Sequence, residues 1–297
     1  MSIVHVNHRF ADVGGLRVFY RETGPADGPV LLLLHGFPSS SRQYLRLMES
    51  VGTSLRVIAP DMPGFGFSDA PQAQSAGGPQ RYSFDELARY MDAFCEVLGL
   101  ERFVLYMFDY GGPVGFRMIE AHPERVAGLV IQNANAYDEG MSEMALGLAA
   151  QTPASPGGEG IVRGILTAEV TRNQYLTGAR HPERISPDGW TMDQHFLDLP
   201  GRAQIQIELA LDYHSNLALY PKWQAWLRQY RPPALVIWGR NDPFFLEAGA
   251  RAYLRDLPHA DLMLLDTGHF ALEECLADIA PAVAAFGERH LHVASSD

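Results

Sequence analysis

The sequence predicts an α/β fold, in which a mostly parallel sheet is flanked by helices and carries an inserted, mainly helical cap. Short apolar runs alternate with stretches of helical periodicity, the pattern of a parallel sheet covered by crossover helices. With 297 residues, 47% of them hydrophobic, the chain is long enough to bury a large core. Strands are predicted at residues 16–21, 30–35, 55–59, 103–108, 127–132, 234–238 and 262–265.

The cap is predicted where this alternation lapses, between residues 136 and 218. A Pro/Gly-rich piece at 153–160 is followed there by helix-like segments with no intervening strand. The core domain is therefore expected to be discontinuous, made of residues 1–135 and 219–297.

Two local sequence patterns predict where one helix begins and where one connecting loop lies. Ser83 and Glu86 form a capping-box pattern, in which both side chains satisfy free backbone N–H groups at the start of a helix. Residues 71–80 have loop composition and are expected to form a connector.

Composition and charge narrow the class of protein. The apolar run at residues 30–34 is far shorter than the ~20 residues of a membrane span, so neither a transmembrane helix nor a signal peptide is expected. Cys95 and Cys275 are interpreted as small buried hydrophobes, which favours a reducing, cytoplasmic location. The net charge of −12 argues against nucleic acid and anionic membranes as partners, and the sequence allows a homodimer without requiring one.

The first chemical motif surrounds Asp109. This residue stands between the buried strand 103–108 and a helix that starts near Gly111, where a sharp turn thrusts its central side chain out at the carboxyl edge of the sheet. The alternative is that Asp109 only caps the helix and complements its dipole. That alternative would prevail if Asp109 stood alone.

A second motif, His35-Gly36-Phe37-Pro38, directly follows the apolar run of the predicted strand at residues 30–34. The backbone N–H groups of Phe37 and Tyr110 are the expected pair of donors for a developing oxyanion. A plain Gly-Pro turn is the alternative.

Two further polar residues follow later strands. Asp242 comes just after the strand at 234–238, although a turn aspartate before Pro243 is an equally good interpretation of it alone. His269 follows the strand at 262–265, and a lone histidine is more often structural. Along the chain, the candidate nucleophile comes first, the acid second and the histidine third, and this is the order of one known fold.

These motifs together resemble the α/β-hydrolase superfamily, and specifically its epoxide hydrolase and haloalkane dehalogenase branch, whose nucleophile is an aspartate. Residues 61–69 (DMPGFGFSD) also resemble a loop of that family. One departure is Met107, which stands where the elbow motif has its first glycine.

The resemblance implies a covalent route. Asp109 displaces a leaving group from an sp³ carbon and becomes an alkyl ester, which is hydrolysed by water activated by His269, itself oriented by Asp242. The substrate is expected to be a small apolar molecule, with no cofactor and no metal. The product is a diol from an epoxide, or an alcohol and a halide from a haloalkane.

The leaving group requires a donor from the cap. Tyr213 resembles one of the two cap tyrosines of epoxide hydrolases, although His214 follows it where the family has arginine. Tyr137 and Tyr175 are the candidates for its partner. Core or surface packing is the alternative for all three tyrosines.

Dehalogenation is the second hypothesis. Against it, Tyr110 replaces the tryptophan that holds halide in those enzymes, and Phe37 stands where they often carry Asn or Glu; Trp190 in the cap is the remaining indole candidate. A third hypothesis is a non-catalytic receptor or interaction protein of the same fold. Further candidates for substrate contact adjoin the motifs, namely His35, Pro38 and Phe270.

Overall fold

The computed structural model describes residues 4–71 and 82–291, which form an eight-stranded sheet in the order β1-β2-β4-β3-β5-β6-β7-β8. Strands β1 and β2 pair antiparallel, as do β2 and β4, and the remaining neighbours are parallel. The predicted mostly parallel sheet is therefore confirmed. The strands are β1 Asn7–Val13, β2 Leu16–Thr23, β3 Val30–Leu34, β4 Arg56–Pro60, β5 Phe103–Phe108, β6 Val126–Gln132, β7 Ala234–Gly239 and β8 Asp261–Leu265.

Helices cover both faces of this sheet. One apolar cluster joins the sheet to α2, α3, α9 and α10, and another joins its opposite face to α1 and α11. The helices are α1 Leu45–Val51, α2 Phe84–Val97, α3 Gly111–Ala121, α4 Glu143–Ala149, α5 Gly158–Arg163, α6 Ala168–Leu176, α7 Asp188–Leu197, α8 Arg202–Asp212, α9 His214–Tyr230, α10 Glu247–Asp256 and α11 Ala271–Leu291. No helix in the described ranges is both long and apolar enough to cross a membrane.

The central strand β3 explains why the apolar runs in this sequence are continuous. Leu32 and Leu34 pack in the cluster of α2 and α3, whereas Leu31 and Leu33 pack in the cluster of α1 and α11. Successive side chains of a strand point to opposite faces, so a strand covered on both sides needs apolar residues throughout.

The edge strand β1 is missing from the sequence prediction. Its residues are mostly exposed, and only Ala11 and Val13 are buried. An edge strand that buries so little carries a weak hydrophobic signal, and here its pairing with β2 determines the structure.

The capping box before α2 forms only by half. Ser83 is the N-cap, and its hydroxyl accepts from the N–H of Glu86 at 3.2 Å, as predicted. The carboxylate of Glu86 instead pairs with Arg89 one turn further on, so the reciprocal bond to the Ser83 N–H is absent. Ion pairing at i,i+3 competes with the cap here.

Between β6 and β7 the chain forms helices and no strand, as the sequence suggested for the cap. The expected boundary at residues 218 and 219 falls inside α9, because that helix begins at His214 and continues towards β7 without a break. The predicted connector at 71–80 lies, apart from Pro71, outside the described residues.

Candidate active site

Asp109 occupies a strained turn between β5 and α3. Its φ is +48°, in the left-handed region that few side chains adopt. Two glycines make room for the turn. A Cβ on Gly36 would lie 2.3 Å from the Cβ of Asp109, and a Cβ on Gly111 would lie 2.2 Å from the carbonyl oxygen of Leu34. The elbow therefore depends on close approach of backbone from β3 and α3.

Met107 fits at the position where the elbow motif has glycine. A Cβ on Gly115 would lie 2.5 Å from the Met107 sulfur, so the missing side chain of Gly115, one turn into α3, leaves the space that Met107 fills. The departure from the motif is thus accommodated by a glycine eight residues later.

The carboxylate of Asp109 has two different oxygens. Oδ1 accepts the N–H of Phe37 at 2.7 Å, and the nearby N–H of Tyr110 acts to lower the pKa of this carboxyl. Oδ2 lies 3.7 Å from Nε2 of His269. Of the two donors expected for an oxyanion, the N–H of Phe37 therefore binds Oδ1 of Asp109, and Oδ2 is the oxygen nearest the histidine.

His269 is held from behind by Asp242. The Nδ1 atom of His269 lies 2.6 Å from Oδ2 of Asp242, which also accepts the Nδ2–H of Asn133 at 2.7 Å, while Oδ1 accepts the N–H of Phe244 at 2.8 Å. Asp109, His269 and Asp242 are all buried, and the structure brings them together in this order. A carboxylate with such partners fixes the tautomer and orientation of the imidazole.

Asn133 is a site residue that sequence reasoning missed. It follows β6 with a φ of +41°, and its Oδ1 accepts the N–H of Gly239 at 3.0 Å while its Nδ2 donates to Asp242. Asparagine tolerates the left-handed region better than most residues. Its place at the carboxyl end of a buried strand was the available signal.

The buried charges shift each other's protonation. Burial raises the pKa of Asp109, and the charge of His269 and the N–H donors of Phe37 and Tyr110 only partly oppose this. Burial lowers the pKa of His269, but the charge and hydrogen bond of Asp242, with the charge of Asp109, outweigh it and raise the pKa above the usual value of 6.5. Perturbed groups that share one cavity are typical of catalytic sites.

A cavity of about 400 Å³ opens above Asp109 and His269, beneath the helices between β6 and β7. Its walls are mostly apolar. They are formed by Phe37, Asp109, Tyr110, Met141, Met144, Ala145, Leu148, Ala149, Ile165, Val170, Asn173, Gln174, Thr177, Ala210, Tyr213, Pro243, Phe244, Phe245 and His269. In the described part of the chain, no group of three or more His, Cys, Asp or Glu side chains could hold a metal ion.

Tyr213 reaches this cavity from the junction of α8 and α9. Its ring centroid lies 6.0 Å from that of Tyr110, the residue after Asp109. Burial, followed by the influence of Tyr220 and of the Asp109 charge, raises its pKa well above 10, so Tyr213 keeps its proton at neutral pH. A residue of the cavity wall therefore carries a hydroxyl that keeps its proton.

The junction that carries Tyr213 is fixed to the core. Arg117, on the helix that starts at the elbow, donates to Asn216 at 2.8 Å and to Ser215 at 3.2 Å, while Asp212 accepts the N–H of Phe84 at 2.9 Å. The neighbour His214 only contacts the carbonyl of Leu211. The guanidinium that binds residues 215 and 216, just after Tyr213, thus comes from α3, which a search of the cap sequence could not find.

Six other candidates lie outside the cavity. The Nε2 of His35 accepts the N–H of Met62 at 2.9 Å, Tyr137 donates to Asp256 at 2.7 Å, and Tyr175 donates to Asp193. Phe270 stacks on Tyr175 with centroids 3.9 Å apart, and Trp190 packs on the same tyrosine. Pro38 is buried in its loop. These contacts give His35, Pro38, Tyr137, Tyr175, Trp190 and Phe270 packing roles, and none of them lines the cavity.

Replacement of Gly36 by alanine is expected to disturb the elbow. The added Cβ would overlap the Cβ of Asp109, and overpacking of this kind costs about 1–3 kcal/mol of stability. A displacement of about 1 Å at the nucleophile is expected to reduce turnover roughly 10²-fold. Thermal melting and steady-state kinetics measure the two effects.

Gly160→Ala is the matched control, because Gly160 lies within α5 and a Cβ there would meet nothing within 4 Å. It should leave turnover unchanged. Equal effects of the two substitutions would contradict the close approach described for Gly36.

Comparison with known proteins agrees with the predicted fold class. A sequence model of the α/β hydrolase fold family matches residues 29–275. An uncharacterised hydrolase of Saccharomyces cerevisiae is 38% identical over 287 residues, which cover 95% of this chain and 97% of that protein. An epoxide hydrolase of Caenorhabditis elegans is 27% identical over 254 residues, covering 82% and 69%. The solved structure of a haloalkane dehalogenase from Bradyrhizobium elkani superposes with a TM-score of 0.74 at 24% identity, covering 96% and 98%.

Proposed function

The chain belongs to the α/β-hydrolase family, and we propose that it hydrolyses epoxides to diols through a covalent ester on Asp109. The observation that carries this proposal is that Asp109 and Tyr213 line the same mostly apolar cavity, with the ring of Tyr213 next to that of Tyr110, the residue after Asp109. A carboxylate can open an epoxide at carbon, and the epoxide oxygen then needs an acidic O–H.

In the first step, Oδ2 of Asp109 attacks an epoxide carbon. The bond from that carbon to the epoxide oxygen breaks, and its electron pair goes to the oxygen, which takes the proton of Tyr213. Oδ1 stays with the N–H of Phe37 and becomes the carbonyl oxygen of the ester. The enzyme then carries a β-hydroxyalkyl ester.

In the second step, His269 removes a proton from water, which attacks Cγ of Asp109. Negative charge develops on Oδ1, where the N–H groups of Phe37 and Tyr110 stabilise it. The bond from Cγ to Oδ2 breaks, and the departing diol takes the proton held by His269. Hydrolysis leaves Asp109 as a carboxylic acid, and its proton returns to the Tyr213 phenolate.

The interaction between the charges of His269 and Asp109 leads to a prediction for the pKa of His269. Since the charge of Asp109 raises the pKa of His269, a neutral side chain at position 109 should lower it. Asp109→Asn imitates the neutral ester, so NMR titration should give His269 a lower pKa in this variant than in the wild type. The imidazole signal that is missing from the spectrum of His269→Gln is the signal of His269.

The sign matters for hydrolysis. His269 acts as a base only when it is neutral, so the second step is lost as the pH falls through its pKa. A lower pKa in the ester keeps that step active at lower pH than the free enzyme would suggest. An unchanged or higher pKa in Asp109→Asn would contradict the coupling.

Dehalogenation is the competing activity. A departing halide needs N–H donors in an apolar site, and no tryptophan is among the residues that line the described cavity. Trp190, the cap indole considered for this role, packs against Tyr175. These contacts favour an oxygen leaving group.

Tyr213→Phe tests the proposal, with diol formation and halide release assayed side by side. Loss of a positioned acid typically lowers a rate by roughly 10²-fold or more, and this is expected for epoxides. Tyr230→Phe, a change of the same kind at an exposed tyrosine, should have no effect. Halide release by the wild type, without diol formation, would refute epoxide hydrolysis and support the dehalogenase.

A further inference from the structure

A buried amide faces the otherwise apolar cavity. Gln174 on α6 is 5% exposed and lines the cavity. The neighbouring polar residues Asn173 and Thr177 are exposed at its rim. Gln174 is therefore the uncharged amide that a bound substrate meets inside the cavity.

Of the two neighbouring residues Gln174 and Tyr175 on α6, only Gln174 lines the cavity. Tyr175 turns away into the core, where it stacks on Phe270 and bonds Asp193. At the end of the helix, the carbonyl oxygen of Thr177 lies 2.1 Å from where a Cβ of Gly268 would be. The helix that carries Gln174 therefore ends against the loop of His269, whereas Tyr213 lies next to Tyr110.

The amide of Gln174 has no hydrogen-bond partner among residues 4–71 and 82–291, and its polar atoms are not sealed within the protein. By contrast, the amide of Gln194 on the neighbouring α7 bonds Thr171, Asp198 and the carbonyl of Leu166. Because these atoms reach the cavity, a bound molecule can supply the hydrogen bond that the protein does not. The amide without a protein partner therefore belongs to the wall of the cavity that also holds Asp109.

We propose that Gln174 is a specificity-determining residue, whose amide hydrogen-bonds an oxygen substituent next to the reacting carbons of the substrate. This inference rests on the proposed epoxide hydrolysis and narrows its substrate class. The substrate is an epoxide with an apolar body and one adjacent hydroxyl, ether or carbonyl group. A purely hydrocarbon epoxide leaves the amide unpaired and is the poorer substrate.

The test compares 2,3-epoxyhexane with 2,3-epoxyhexan-1-ol of the same ring stereochemistry, which differ only in one hydroxyl. The measured quantity is the ratio of kcat/KM for the alcohol to that for the hydrocarbon. Gln174→Leu keeps the size of the side chain and removes the amide, so the ratio should fall roughly tenfold, the effect of one neutral hydrogen bond. Gln174→Met, of similar length, serves if the leucine variant does not fold.

Gln206→Leu is the matched control. Gln206 is a buried amide of α8 that does not line the cavity, so the same change there should leave the ratio as in the wild type. If the wild type hydrolyses both epoxides and the ratio stays unchanged in Gln174→Leu or Gln174→Met, the role of Gln174 is wrong and epoxide hydrolysis stands. If the wild type hydrolyses neither, epoxide hydrolysis and the inference fail together.

Discussion

Asp109→Ala is expected to abolish turnover, with a loss of at least about 10⁴-fold, because removal of a covalent nucleophile leaves only binding and weak solvent attack. The variant keeps the donors of Phe37 and the pair of His269 and Asp242. These remaining groups cannot form the ester. Steady-state diol formation measures the loss.

A single turnover of the wild-type enzyme in ¹⁸O-water should also place label in the peptide that contains Asp109. Asp27→Ala removes an exposed carboxylate on the protein surface and should change neither turnover nor labelling. Normal turnover by Asp109→Ala, or turnover of the wild type without label in that peptide, would exclude the ester.

His269→Gln is expected to stop the reaction halfway. The carboxylate of Asp109 can still open the epoxide with the proton of Tyr213, but no base activates water for the second step. About one equivalent of ester should therefore accumulate, while hydrolysis slows roughly 10³-fold or more. Intact-protein mass spectrometry should detect a mass increase equal to that of the substrate.

The exposed His259 supplies the control, and His259→Gln should turn over normally without accumulating any adduct. Loss of product with no adduct in His269→Gln would assign His269 to the first step. Adduct in the double variant with Asp109→Ala would show that another residue is alkylated.

The proposed catalytic centre was predictable because its residues follow apolar strands. β3, β5, β7 and β8 are all apolar enough to be recognised in the sequence, and parallel strands bring their carboxyl ends to one edge. Asp109, Asp242 and His269 therefore needed no long-range information to be brought together. The same reasoning applies to Asn133 at the end of β6, which was overlooked because its side chain contacts Asp242 and not the cavity.

The cap residues were less predictable. In α6 the sequence suggested Tyr175 as a substrate contact, but the adjacent Gln174 faces the cavity. Successive side chains of a helix point about 100° apart. The orientation of α6 about its axis therefore had to be known to tell which of the two residues faces the cavity. Phe270 determines that orientation by stacking on Tyr175, and this contact joins parts of the chain that no local pattern connects.

The hydrogen bond from Phe37 to a single oxygen of Asp109 has a consequence for successive reaction cycles. If that oxygen stays in place, the atom delivered by water must occupy the other position, and the next substrate molecule carries it away. A pre-labelled enzyme returned to ordinary water would then lose its whole isotope to the first product molecule. Rotation of the carboxylate between cycles would instead divide the isotope between enzyme and product, so isotope retention reports how firmly the backbone holds the nucleophile.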